Sequence, residues 1–404
     1  MGREPARWGV VDPAAAYART SALLENFPHP ELRPHRIVGE LPLAAQQVVE
    51  ICRALASDCR ILLMDEPTSS LQRADVDRLF ALIGRLRAQG LGIVYISHFL
   101  EEIREIADVC TVLRDGRSVA TGGIADSTNE QLVAHMVGRP VENLFPPRTR
   151  HDAGEVVLSV KGLRAAPAVR SASFDLRRGE VLGIAGLMGS GRTEMVRAIF
   201  GLDPVSSGQV IVSAAGRTAG STLRSRALRE RLAAGMGYLS EDRKGEGLAL
   251  TMSLADNITL TNFGACATRG WIRLAEQREQ ATRWMRAIGV RARTSDQPAV
   301  TLSGGNQQKV ALARLLHQQC DILLLDEPTR GIDIGSKAQI YEVIAQAADQ
   351  GKAVLVVSSY LPELFGLCDR LAVMSRGRLT PPRPISEWTP EAVLHAAIDV
   401  EAVA

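Results

Sequence analysis

The feature that most constrains this chain is an internal repeat with a constant spacing. The segment Asp65-Glu66-Pro67-Thr68 recurs as Asp326-Glu327-Pro328-Thr329, an offset of 261 residues (326 − 65). The same offset relates three further pairs of segments, 41–47 with 302–308, 97–98 with 358–359, and 112–117 with 373–378. Because four landmarks keep one offset without a relative insertion, the sequence predicts two copies of one domain.

A glycine-rich loop in the second copy has the sequence context of a phosphate-binding site. The apolar run Val181–Ala185 predicts a strand, and a helical run starts at Glu194. Residues 186–193 lie between them and complete the strand–loop–helix pattern of a Walker A motif. Glycine amides and a helix N-terminus both favour phosphate oxygens. The candidate ATP-binding residues of this loop are Gly186, Gly189, Ser190, Gly191, Arg192 and Thr193.

Two residues of this loop carry specific expectations. Thr193 would supply a hydroxyl ligand to Mg²⁺. Arg192 stands where a lysine is usual, and it keeps the positive charge in a planar fork instead of a compact ammonium group. The sequence leaves open how well Arg192 fits the β- and γ-phosphates.

The position of the loop sets the predicted domain boundaries. Subtracting 261 from 186–193 gives −75 to −68, which lies before residue 1. The first copy is therefore expected to lack its N-terminal part, including its phosphate loop. We predict a partial first domain at 1–140, a linker at 141–155 that contains Pro146-Pro147, and a second domain at 156–404.

Paired carboxylates follow short apolar runs in both copies, at Asp65-Glu66 and at Asp326-Glu327. A parallel sheet presents residues to a ligand at the carboxyl ends of its strands. Asp65 and Asp326 would bind Mg²⁺, and Glu66 and Glu327 would orient or deprotonate the attacking water. This is the arrangement of a Walker B strand.

A glycine pair before the second of these strands points to a family. The segment 302–308, Leu-Ser-Gly-Gly-Asn-Gln-Gln, resembles the signature motif of the ABC ATPase superfamily and lies 23 residues (326 − 303) before Asp326. The resemblance implies a helix start that caps the γ-phosphate of ATP held by the opposite domain. It implies an α/β fold class, with two tandem ABC-type P-loop NTPase domains, the first without its N-terminal part. The residues implied in ATP binding are Ser303, Gly304, Gly305 and Gln307.

Further motifs narrow the resemblance to the monosaccharide (ribose, galactose, xylose) importer ATPases. They are the segments 189–193, 238–244, 302–310 and 326–333. In that family two ABC domains are fused, one phosphate loop carries arginine, and the second switch histidine is replaced. Here Ser359 occupies that switch position, while His98 keeps the histidine in the first copy. The resemblance implies that His98 senses the γ-phosphate and that Glu66, His98 and Glu327 are catalytic.

The family also implies cofactors, partners and location. These are ATP with Mg²⁺, membrane-embedded permease subunits, a sugar-binding protein reached through them, and a peripheral place on the cytoplasmic face of the membrane. The chain would pair as a homodimer or with a related ATPase.

The two ATP sites that the family forms between its copies are expected to differ here. One would combine Asp65, Glu66 and His98 with the signature at 302–308, but its phosphate loop is not among the 404 residues. The other would combine 186–193 with the first signature, in which Pro42 replaces the serine. We therefore expect this chain alone to be a poor ATPase.

Composition excludes several other functions. Lys and Arg total 47 and Asp and Glu 45, so no basic excess suggests nucleic-acid binding. The six cysteines form no C-x-x-C pair, which argues against a zinc or disulfide framework. No apolar run approaches the roughly 18 residues of a membrane span, and the start does not resemble a signal peptide.

Two alternatives stay open beside a sugar-importer ATPase. One is a catalytically impaired nucleotide-binding or regulatory remnant, which measured hydrolysis with and without a permease would distinguish. The other is a soluble ABC protein acting on ribosomes or DNA, against which the short, cysteine-free linker argues. The sequence does not select the sugar, the hydrolysing site or the oligomeric state.

Overall fold

The computed structural model describes residues 4–25, 31–56, 59–68, 71, 73–97, 99–114, 116–138, 144–146, 154–213, 221–222 and 228–398. The chain divides into two compact units, residues 1–138 and 139–404. His98 and most of the predicted linker lie outside the described residues. Among the described residues, no helix is both long and apolar enough to cross a membrane.

The first unit contains short strands and helices, named here in chain order. They are β1 Ala6–Arg7, β2 Val10–Val11, α1 Pro13–Glu25, α2 Leu43–Leu55, β3 Ile61–Asp65, α3 Arg73–Ala88, β4 Gly92–Ile96, α4 Leu100–Ile106, β5 Val109–Arg114, β6 Arg117–Gly123 and α5 Asn129–Val137. Strands β3 and β4 pair in parallel, and β5 and β6 pair antiparallel.

Helix α3 forms because its apolar residues recur at helical spacing. These residues pack in one buried cluster with Leu62 and Met64 of β3, and they are Val76, Leu79, Phe80, Ile83 and Leu86. Helix α5 starts at a capping box, in which Thr128 and Gln131 satisfy each other's backbone amides. It ends at Gly138, whose φ of 85° suits a left-handed helix cap.

The second unit continues the numbering. Its elements are β7 Val156–Ala165, β8 Val169–Arg177, β9 Val181–Gly186, α6 Arg192–Phe200, β10 Ser207–Val212, β11 Ser221–Thr222, α7 Leu228–Ala233, β12 Met236–Leu239, α8 Leu254–Thr259, β13 Ala267–Thr268, β14 Trp271–Ile272, α9 Leu274–Ala287, α10 Gly304–His317, β15 Ile322–Asp326, α11 Ile334–Asp349, β16 Ala353–Val357, α12 Leu361–Leu367, β17 Arg370–Ser375, β18 Arg378–Leu379, β19 Arg383–Pro384 and α13 Pro390–Ile398.

A large mixed sheet organises this unit. Its parallel part runs in the order β17-β9-β16-β15-β12, and β7, β8 and β10 add antiparallel pairings. The register places Asp326 opposite Val357 and Val357 opposite Ile184. The carboxyl ends of β9, β15 and β16 therefore meet at one edge, where parallel sheets bind ligands. This confirms the predicted α/β fold class.

The central strands are apolar throughout because both faces of the sheet are covered. Leu323 and Leu325 of β15 pack in the cluster that contains residues of α10 and α11. Ile322 and Leu324 point to the other cluster, which contains residues of β7, β8 and α6. Phe145, from the predicted linker, stacks on Tyr341 of α11 with ring centroids 5.0 Å apart.

Element bounds repeat between the units at the offset found in the sequence. Strands β3 and β15, helices α3 and α11, strands β4 and β16, and helices α4 and α12 each differ by 261 at both ends. Burial differs sharply, however. Ile61 and Leu63 are 65% and 71% exposed, whereas Ile322 and Leu324 are 1% and 0% exposed. In the second unit this face is covered by β7, β8 and α6.

Candidate nucleotide site

The phosphate loop joins β9 to α6, and its glycines are required by close backbone packing. Gly186 and Gly191 have φ of 154° and 102°. A Cβ at Gly186 would lie 2.4 Å from the Met374 carbonyl oxygen, and one at Gly191 would lie 2.8 Å from that of Ala168. No other residue fits these positions without displacing backbone.

Polar atoms beside the loop are buried without a partner among the described residues. They are the Ser190 hydroxyl oxygen and Oδ1 of Asp326, whose side chain is fully buried. Buried polar atoms are normally hydrogen-bonded, so an orphaned pair at one sheet edge marks a place for a ligand. Oδ2 of Asp326 lies 3.5 Å from the Tyr238 hydroxyl.

Asp326 and Thr193 lie close enough to share a cation. Burial is the main cause that raises the pKa of Asp326 to about 6, and a hydrogen bond from Thr193 opposes this rise. The Thr193 hydroxyl also lies 3.3 Å from Oε2 of Glu241. A hydroxyl and one carboxylate suit Mg²⁺, which takes few protein ligands and completes its shell with phosphate and water. The donor set therefore fits the predicted metal.

The guanidinium group of Arg192 contacts other groups of the protein. Its Nη2 lies 3.3 Å from Oε1 of Glu327, and both side chains are 8% exposed. Its Nη1 donates a 2.8 Å hydrogen bond to the carbonyl of Ser358. Burial lowers the pKa of Arg192 and raises that of Glu327, and each charge opposes the shift of the other. The loop cation thus neutralises the carboxylate that is predicted to act on water.

The backbone holds Glu327 at the edge of the sheet. Its φ is 46°, and its amide donates a 2.8 Å hydrogen bond to the carbonyl of Val357. Hydrogen bonds with Ser359, at the switch position, lower the pKa of Glu327 against the larger effect of burial. Glu327, Ser359 and Arg192 therefore form one contact group, which the sequence did not predict.

The signature segment begins helix α10. Ser303 is the N-cap, yet its exposed hydroxyl makes no bond to the helix backbone and accepts from Asn306 Nδ2 at 3.0 Å. A Cβ at Gly305 would lie 2.5 Å from the Ser336 hydroxyl, so packing requires glycine there. Gln307 is buried and donates to the carbonyls of Ala299 and Leu302. Arg243 donates a 2.8 Å hydrogen bond to the carbonyl of Gly304.

The first unit repeats the local geometry with different exposure. Glu66 has φ of 45°, and its amide donates to the carbonyl of Ile96 at 2.8 Å, as Glu327 does to Val357. Asp65 and Glu66 are exposed, unlike their buried counterparts in the second unit. Gln46 donates to the carbonyl of Leu41 at 2.8 Å and so matches Gln307.

Residues without a predicted role also line the site. Glu241 contacts Thr193 and forms an ion pair with Arg330. Glu241 lies inside the motif at 238–244, so the sequence marked the segment without assigning the residue. Glu363 accepts hydrogen bonds from Thr329 and Ser358. The repeat could have indicated Glu363, because the equivalent position in the first copy, 102 (363 − 261), is also a glutamate.

Comparisons with known proteins agree with this geometry. Residues 169–330 match the family model described as ABC transporter. A Burkholderia lata protein named for ribose/galactose/methyl galactoside import is 44% identical over 99% of this chain and 78% of its own length. The ribose import ATP-binding protein RbsA 2 of Streptomyces coelicolor is 45% identical over 98% of this chain and 75% of its own length.

A nucleotide-free ATP-binding cassette from an ABC transporter is similar in structure, with 18% identity and a TM-score of 0.49 over 62% of this chain and 98% of that chain. The relatives, at 44% and 45% identity over three quarters or more of their lengths, decide the family. The chain belongs to the ATP-binding proteins of ribose- and galactose-type sugar ABC importers.

Proposed function

We propose that this chain is the ATP-binding subunit of a sugar ABC importer and that it hydrolyses ATP to drive import. The observation that carries this proposal is the meeting of three strand ends at one sheet edge. They bring together the glycine loop after β9, Asp326-Glu327 after β15, and residues 358–359 after β16. The names of the relatives supply the substrate class, a monosaccharide such as ribose or galactose.

We assign the nucleotide to the loop at 186–193, whose backbone amides would hold the phosphates. Thr193 and Asp326 would hold Mg²⁺, which when bound neutralises charge on the phosphates. The orphaned Oδ1 of Asp326 supports this assignment. Glu327 would orient or deprotonate the attacking water once Arg192 has moved to the phosphates.

We also propose that the two units are tandem ABC domains, a first at 1–140 and a second at 156–404, joined by 141–155. The repeated element bounds support this. By this proposal Asp65, Glu66 and His98 serve the first domain's nucleotide. Ser303, Gly304 and Gly305 would cap the γ-phosphate of a bound ATP, and the buried Gln307 supports the loop that presents them.

The proposed partners are membrane-embedded permease subunits and, through them, a sugar-binding protein. The chain would then act at the cytoplasmic face of the membrane. A dimer with a second copy or with a related ATPase would complete its sites.

The first test is binding of Mg²⁺ with a non-hydrolysable ATP analogue, measured by calorimetry on the intact chain. Thr193→Ala and Asp326→Asn should each weaken binding at least tenfold, because each removes a metal ligand. Asp296→Asn is the matched control, since it makes the same change at an exposed position of the second unit that has no proposed role. Binding that survives both substitutions, or falls equally in the control, would contradict the assignment.

The second test is sugar uptake. The chain would be co-expressed with a ribose permease in cells that lack the permease's own ATP-binding subunit. Uptake of labelled ribose should require Asp326 and Glu327. Restored uptake that Asp326→Asn leaves intact would exclude this site as the one that drives transport.

A nucleotide-binding subunit with slow turnover is the second candidate, and the Arg192–Glu327 pair favours it. The pair neutralises the carboxylate that would act on water and occupies the cation that would bind phosphate. Steady-state phosphate release with the permease present distinguishes the two. Release that stays at the rate of a Glu66→Gln, Glu327→Gln double variant would support slow turnover.

A further inference from the structure

A buried glutamate with no predicted role contacts two segments of the candidate site. Glu363 is in the first turn of α12 and is 1% exposed. The Thr329 hydroxyl lies 3.0 and 3.1 Å from its two carboxylate oxygens, and the Ser358 hydroxyl donates to it at 2.7 Å. Both hydroxyl groups belong to buried residues. One carboxylate therefore joins two segments that are distant in sequence.

Both segments belong to the site. Thr329 lies in the turn that follows Asp326 and Glu327. Ser358 directly follows β16, and its carbonyl accepts the hydrogen bond from Arg192. The next residue, Ser359, contacts Glu327. A shift of Ser358 would therefore move the groups that hold Arg192 and Glu327.

The first unit repeats the serine–glutamate contact of this arrangement at the repeat offset. Glu102 is 9% exposed and accepts a 2.7 Å hydrogen bond from Ser97, the counterpart of Ser358. The Tyr95 hydroxyl also donates to it, at 2.9 Å. Two different sets of donors thus surround a glutamate at one position of the repeat. The shared element is the serine at the end of the strand.

An acid at this position has an energetic cost that packing alone does not explain. Burial raises the pKa of Glu363 to about 7, the bonds from Ser358 and Thr329 lower it, the Glu327 charge raises it, and Lys337 lowers it. An apolar side chain could fill the same volume without placing an acid near Glu327. A carboxylate, however, accepts several hydroxyl groups at once and fixes their orientation.

We propose that Glu363 is a positioning residue that ties the turn after Asp326-Glu327 to the switch segment at 358–359, and so sets the geometry of the ATP site. The proposal rests on the proposed function for its consequence in nucleotide binding. The tie between the two segments can be tested without nucleotide.

The experiment compares amide hydrogen exchange in the full chain and in Glu363→Gln, without nucleotide. Above about pH 7, where the Glu363 carboxylate is charged, we expect exchange to rise about tenfold in both 327–333 and 357–361, as for loss of one charge-assisted hydrogen bond. Strand β15 should be unchanged. Thr329→Val keeps the carboxylate and the side-chain shape, so it serves as a second variant if Glu363→Gln does not fold. It should loosen 357–361 as well as its own turn.

Glu102→Gln is the matched control, because it neutralises the equivalent acid in the first unit and should leave 327–333 and 357–361 unchanged. Exchange that rises equally across the second unit, or that does not change in Glu363→Gln and Thr329→Val, would show that Glu363 does not tie the two segments together.

The same proteins are then titrated with Mg²⁺ and the non-hydrolysable ATP analogue. Affinity should fall about tenfold in Glu363→Gln and not in Glu102→Gln. Glu363→Asp, which keeps a carboxylate, should recover part of the loss. Altered exchange with unaltered affinity would show that the tie does not set the site. A parent chain that binds no nucleotide would refute the proposed function, and the exchange result would still decide the tie.

Discussion

Replacing Glu327 with glutamine removes the anion that faces the Arg192 guanidinium and keeps the size of the side chain. At the observed 3.3 Å between Nη2 and Oε1, the attraction is about 5 kcal/mol at an effective dielectric constant of about 20. Desolvation offsets much of this, and breaking a buried pair costs about 3 kcal/mol when nothing replaces the partner. Because glutamine keeps an acceptor oxygen and Arg192 keeps the Ser358 carbonyl, we expect a loss of about 2 kcal/mol.

The same substitution, Glu327→Gln, should strengthen nucleotide binding although it weakens the fold. By the proposed function Arg192 contacts phosphate in the nucleotide-bound chain, so Glu327→Gln should destabilise the bound state less than the nucleotide-free one. This difference in free energy between the two states increases the affinity for nucleotide, and about 1.4 kcal/mol corresponds to tenfold tighter binding. The variant should therefore unfold earlier without nucleotide and bind the non-hydrolysable ATP analogue more tightly.

Denaturant unfolding and calorimetric titration measure the two effects on the same preparation. Glu279→Gln is the control, because it makes the same substitution at an exposed position that has no proposed role. An Arg192→Gln, Glu327→Gln double variant completes the cycle and should show coupling of about 2 kcal/mol in the nucleotide-free chain. Weaker binding by Glu327→Gln, or unchanged stability together with unchanged affinity, would refute the claim that Arg192 must exchange partners.

Three further predictions follow from burial and charge. The raised pKa of Glu363 (from 4.5 to about 7) means that the folded chain retains a proton there which the unfolded chain releases above about pH 4.5. The contribution of this proton to the free energy of unfolding is present at low pH and is lost as pH rises to about 7, by about 3 kcal/mol. In urea titrations across this range, the free energy of unfolding should decline less in Glu363→Gln than in the parent chain. An identical decline in both proteins would contradict the prediction. Leu324→Ala should cost about 2–5 kcal/mol at a fully buried site, whereas Leu63→Ala, at the 71% exposed counterpart, should change stability by about 0.5 kcal/mol or less, as chemical denaturation would show. Gly191→Ala should abolish nucleotide binding in a calorimetric titration, because its Cβ would meet the Ala168 carbonyl, while Gly189→Ala, with no neighbour near its Cβ, should retain more binding.

The local elements of the site could be predicted from the sequence with small errors. The strand expected at Val181–Ala185 is observed at Val181–Gly186, and the strand expected to end in Asp326-Glu327 is observed at Ile322–Asp326. The helix expected from Glu194 begins two residues earlier, at Arg192. These predictions succeed because apolar runs, glycine loops and helix starts are encoded by neighbouring residues.

The contacts that give these elements a function join distant residues. Arg192 is 166 residues from Ser358, and Thr329 is 34 residues from Glu363. No local pattern shows that the loop arginine turns to Glu327, or that Glu363 links two segments. Of these two contacts, only the one at Glu363 had an indication in the sequence, which is the glutamate at the equivalent position 102 of the repeat.

Burial is the other property that the repeat could not give. Asp65 and Asp326 end strands with the same bounds in the repeat and begin the same four-residue sequence, yet one is exposed and the other is fully buried. The sequence by itself determined the repeat, the strand ends and which residues are candidates for the site. The tertiary structure decided which of these residues leave water, because burial, and with it pKa and ion pairing, depends on the layer of β7, β8 and α6 that packs over the sheet in the second unit.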